Sequence, residues 1–148
     1  GARMRQLSDA GRMTAQLIGL AIRTLAIPVG EVLSSEYCRA AETARLMGLG
    51  DVRTTTEIMN LRAQDYVGGH DAAVKNVRTL LARPPAPATN RIMVGHGNLM
   101  RAATGQYTDE AGAVVVRPDP GSDLGFAFVA LVTPQGWLRQ AEAFGGGK

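Results

Sequence analysis

The sequence is short of residues that staple, stack or span. Among its 148 residues there is one cysteine, Cys38, so no internal disulfide can form and packing must hold the fold. One tryptophan, three tyrosines and three phenylalanines are too few for a base-stacking surface. The lysines and arginines are spread along the chain, giving a net charge of +3 with no basic cluster, so no nucleic-acid partner is expected. No apolar run approaches the roughly 20 residues that cross a bilayer, and no membrane partner is expected either. Two histidines and a lone cysteine, at no metal-ligand spacing, give no reason to expect a metal or any other cofactor. The chain is expected to be soluble, and its residues leave cytoplasmic and exported locations equally open.

What is present is ordinary core-forming composition, 45% hydrophobic and 20% charged, enough for one domain over residues 1–144 with a flexible Gly-rich tail at 145–148. Ser8 reads as the cap of a helix from about 8 to 26, stopped at Ile27-Pro28. Glu31-Val32-Leu33-Ser34 is a short strand, and Ser35 opens a helix to about Met47, ended by Gly48 and Gly50. Thr54-Thr55-Thr56 is a strand edge, and Glu57 to Tyr66 has the pattern of a loop or a single helical turn. Apolar spacing returns over His70 to Arg83 and stops at Pro84-Pro85-Ala86-Pro87. The run Arg91 to Val94 is a strand, and the helix after it ends at Gly105. Val114 to Val116 and Phe126 to Val132 are the arms of a hairpin on the sheet edge, with Thr133 to Gly136 a turn before Trp137. Strand and helix alternate, so the expected fold is α/β, three-layer, with a mainly parallel sheet, flanking helices and a C-terminal hairpin.

In such sheets the chemistry collects beyond the carboxyl ends of the strands. Ser34-Ser35 and Gly95-His96-Gly97-Asn98 both fall there and are expected to face one site. Arg39 sits in the first turn of the second helix, where a guanidinium beside free backbone N–H groups can grip an oxyanion. The competing role for Arg39 is a surface pair with Glu42. Cys38, its neighbour, is expected to be a small buried hydrophobe.

Leu7-Ser8-Asp9-Ala10-Gly11-Arg12, Val32-Leu33-Ser34-Ser35 with Cys38-Arg39-Ala40 and Glu42-Thr43-Ala44, and Val94-Gly95-His96-Gly97 together resemble, in order and approximate spacing, the histidine phosphatase superfamily of phosphoglycerate-mutase-like proteins. The resemblance implies phosphomonoester hydrolysis on a small phosphorylated molecule. It makes His96 the catalytic histidine that assists the transferring phosphoryl group, Arg39 the phosphate-binding arginine, and Ser35 and Asn98 further phosphate-facing residues. Glu57 and Asp65 are the candidates for the acid that protonates the leaving group.

The same resemblance exposes a departure. Family members begin with a strand ending in Arg-His-Gly, whose histidine is the nucleophile and which lies beside the strand ending at His96; that strand is missing here. Hydrolysis is therefore expected to be impaired, and a non-catalytic relative binding phosphate or a partner is the alternative. A repurposed metal site using His70, His96 or Cys38 ranks below both. The bared strand edge is expected to mean either a fragment of a longer protein or closure by strand rearrangement or a homodimer.

Overall fold

A computed structural model describes residues 7–146. Helix α1 (Asp9–Thr24) starts where Ser8 Oγ accepts the Gly11 N–H at 3.0 Å, as the sequence predicts. Strand β1 (Val29–Ser35) leads through Tyr37 into α2 (Cys38–Met47), which begins three residues later than expected because Ser35 finishes the strand. Strand β2 (Val52–Thr55) lies slightly ahead of the expected threonine run. A 3-10 stretch (Leu61–Val67) follows, then α3 (His70–Ala82), β3 (Asn90–Val94) and α4 (Gly97–Thr104). Strands β4 (Ala113–Pro118) and β5 (Phe126–Val132) form the hairpin.

The parallel sheet has the order β2-β1-β3, putting the fully buried strand end Val32 to Ser35 in its centre. Its two faces are covered by separate cores. On one, Leu33, Val74, Val77, Leu80 and Leu99 pack together with Met93. On the other, Ala15, Ile18, Ile22 and Met47 meet Ile92, Val94 and Trp137. The alternation Ile92, Met93, Val94 along β3 thus feeds opposite layers, as the period of a strand requires. Leu80 is 2% exposed, and truncating such a side chain to alanine costs about 2–5 kcal/mol.

One close approach depends on glycine. A Cβ on Gly19 would fall 1.8 Å from the Met47 carbonyl oxygen, so α1 can lie against the end of α2 only without a side chain there. Arg23 of α1 secures the same junction by donating to the carbonyls of Met47 at 2.5 Å and Gly48 at 3.0 Å. Arg78 does likewise for α4, donating to Ala103 at 3.0 Å. Arg91 does so for α3, donating to Leu80 at 3.1 Å and Arg83 at 2.7 Å. Arginines from neighbouring elements therefore satisfy the free carbonyls at three helix ends.

Several expectations are corrected. Among the described residues β3 bonds only to β1 and β4 only to β5, so the hairpin forms a sheet of its own and does not extend the parallel one. Among the described residues β3 therefore has one edge without a strand partner. Thr133 to Gly136 does not merely turn: Thr133 Oγ1 accepts the Gly136 N–H at 2.9 Å, Pro134 takes the first helical position, and α5 (Pro134–Gly146) follows. Two glycines expected in a tail, Gly145 and Gly146, belong to that helix. Cys38 is exposed, not buried, because it opens α2 on its outer side.

Candidate phosphate-binding site

The central strand β1 ends in Ser34 and Ser35, both fully buried. Polar side chains in that position need partners, and both have them. Ser34 Oγ donates to the Ser35 carbonyl at 2.8 Å, while Ser35 Oγ accepts the Tyr37 N–H at 3.2 Å and lies 2.8 Å from His96 Nε2. The two sequence motifs do meet, across 61 positions of chain.

His96 stands between β3 and α4 with extended backbone and is 8% exposed. Besides Ser35 it touches the edge of the Tyr37 ring, at 4.9 Å between centroids. Burial, and then the charge of Arg39, push its pKa down to about 4. The imidazole is therefore neutral near pH 7 and acts there as an acceptor and single donor, not as a cation.

Arg39 is half-buried in the first turn of α2. Among the described residues its guanidinium has no hydrogen bond or salt bridge. Glu42, the alternative surface partner for it, is taken by Arg12 of α1 at 3.2 Å. A cation near a neutral histidine, at a helix N-terminus and without a carboxylate, can stabilise a bound anion.

The remaining expected residues fall elsewhere. Glu57 is exposed and bonds through Thr55, and Asp65 is exposed on the 3-10 stretch; neither bonds to His96, Ser35 or Arg39. Asn98 turns its side chain away to the segment before the 3-10 stretch: its Nδ2 donates to Asn60 Oδ1 at 3.0 Å, and its Oδ1 accepts the Leu61 N–H at 3.5 Å. Asn60, buried at 9% exposure, is the residue that sequence reasoning misses. Its only local signal is the turn it makes by accepting the Arg62 N–H at 2.9 Å.

His70 opens α3, is exposed, and pairs with Asp71 at 3.4 Å. Among the described residues no three His, Cys, Asp or Glu side chains gather as a metal set. A groove of about 730 Å³ between α3, α4 and the hairpin is lined by His70, Lys75, Arg78 and Leu124 among others, but by none of His96, Arg39 or Ser35. The convergent chemistry is at the sheet's carboxyl edge and not in that groove. No described helix is long and apolar enough to cross a membrane.

Two solved structures share the fold. The candidate phosphohistidine phosphatase SixA from Nakamurella multipartitia superposes with a TM-score of 0.51 at 25% identity, over 70% of this chain and 54% of that one. The fold is histidine-phosphatase-like. A protein described as mycobacterial hydrolase 1 shares it with a TM-score of 0.55 at 18% identity, over 86% of both chains. This chain spans about half the length of the SixA structure. No family model and no curated protein sequence matches it.

Proposed function

We propose that this histidine-phosphatase-like domain binds the phosphoryl group of a phosphomonoester between Arg39, Ser35 and His96. The observation that carries the reading is the Arg39 guanidinium, close enough for its charge to act on His96 and, among the described residues, without an anionic partner. A dianion there would meet an unpaired cation, the N–H groups at the start of α2 and a buried imidazole. Hydrolysis through a phosphohistidine also needs a nucleophile. Of the two histidines in the sequence, His70 has no contact with His96, and His96 itself is committed to Ser35. These residues thus supply positioning and electrostatic help, and turnover is slow or absent unless a further imidazole joins the site.

Calorimetric titration with inorganic phosphate tests the binding step. The chain should bind it, and Arg39→Ala should lose at least about tenfold in affinity. Equal affinity in the two proteins would refute the assignment. Hydrolysis of an aryl phosphate, assayed in parallel with His96→Ala, separates the two functional readings: activity lost in the variant marks an enzyme, and binding without turnover marks a non-catalytic relative. The open edge of β3 supports a second strand-pairing partner, and we infer that a homodimer closes it; light scattering showing a monomer at all accessible concentrations would exclude this.

A further inference from the structure

The segment between β2 and the 3-10 stretch has a poor sequence pattern, yet it is pinned to the histidine turn on both sides of His96. Ile58 is 2% exposed and belongs to the core under α3 and α4. Its Cγ2 stands so near Gly95 that a Cβ on Gly95 would be 2.6 Å away. Two residues further on, Asn60 and Asn98 join: Asn98 Nδ2 donates to Asn60 Oδ1 at 3.0 Å, and Asn98 Oδ1 accepts from Leu61 N at 3.5 Å. Asn60 Oδ1 also accepts the Arg62 N–H at 2.9 Å. An apolar peg therefore bears on the residue before His96, and an amide clasp holds the residue two beyond it.

A freely moving surface loop would not bury an asparagine, since an unmated buried amide is costly. Here both amides are matched across 38 positions of chain. Asn98 lies in the first turn of α4, and His96 is the residue that caps that turn. Holding Asn98 fixes the direction in which His96 leaves the helix, and with it the 2.8 Å approach of Nε2 to Ser35.

We propose that Asn60, acting through Asn98, is a positioning residue for His96, and that the clasp ties segment 57–62 to the histidine turn. The site's role as a phosphate site rests on the function proposed above; the positioning claim rests on the clasp alone. Its test is the proton NMR titration of His96 in the wild type, Asn60→Ala and Asn98→Ala, with phosphate binding followed in parallel. Asn98 is exposed, so its variant removes the clasp without opening the core. His70, which makes no contact with the clasp, is the internal reference.

In both variants the His96 midpoint should rise from about 4 toward the ordinary histidine value, as the loosened imidazole reaches water. Phosphate affinity should weaken by about tenfold. A midpoint unchanged in Asn98→Ala, with only a lower Tm, would overturn the proposal by reducing the clasp to a structural bond. Should the wild type fail to bind phosphate, the functional reading falls, and the midpoints still decide the positioning role.

Discussion

The two ends of the parallel sheet treat arginine in opposite ways. At the amino end Arg91, with its side chain 10% exposed, donates to Glu31 at 2.7 Å and to the carbonyls of Leu80 and Arg83 that close α3. Arg53 and Arg83 reach the same carboxylate, at 2.7 and 3.4 Å. Hydrogen bonding from Arg91 leads the causes that hold Glu31 below its usual pKa. At the carboxyl end Arg39 has no such partner among the described residues, and its charge joins burial in keeping His96 neutral. One end is electrostatically complete and serves stability; the other is left short of an anion. That difference is what sets the proposed anion-binding role of Arg39 apart from the structural role of Arg91.

The largest expected break in the comparison is Arg91→Ala, which strips a buried fork of its donors and leaves Glu31 and the α3 carbonyls short. It should cost about 2–3 kcal/mol in urea unfolding, whereas Arg39→Ala should stay within about 0.5 kcal/mol of wild type. Equal losses would remove the distinction.

Acid sharpens it next. Because the folded pKa of His96 lies near 4, the unfolded chain takes up a proton there first as pH falls from about 6.5. Stability is fully present above that value and is lost on descending to about 4, by an amount on the order of 2 kcal/mol. Glu31 acts in a lower window: its depressed pKa gives stability that is present above about 4.5 and lost as pH falls through the folded value. His96→Asn should flatten the upper window alone, and Glu31→Gln the lower one alone. Unfolding free energies across pH 3 to 7 check both.

A smaller effect, about tenfold in affinity or roughly 1.4 kcal/mol, is expected for sulfate binding between pH 6 and 4.5. An anion beside His96 offsets the charge of Arg39, raises the histidine's proton affinity, and so binds more tightly as pH falls. Sulfate keeps its charge across this range, so the trend reports the protein.

Much of this architecture is legible in the sequence. Ser8, Gly48 and Gly105 mark helix ends by local rules, and each holds its expected place. Ser35, Arg39 and His96 can be placed at one sheet edge because strand-helix alternation has few solutions. Helix α5 escapes such reading because its apolar face is thin and its Thr133-Pro134 start also reads as a turn. Asn60 escapes it for a deeper reason: its partner lies 38 residues away, and no local pattern encodes such a pairing. Nor can spacing show that Glu42 turns to Arg12 on another helix and not to Arg39.

The proposed anion site at the carboxyl edge requires Arg39 and a neutral His96 to act together. The most direct measurement is the His96 proton NMR titration with and without saturating sulfate, in wild type and in Arg39→Ala. Wild type should titrate near 4, rise with sulfate, and lose most of that response in the variant. A His96 midpoint that is indifferent to sulfate would contradict the account.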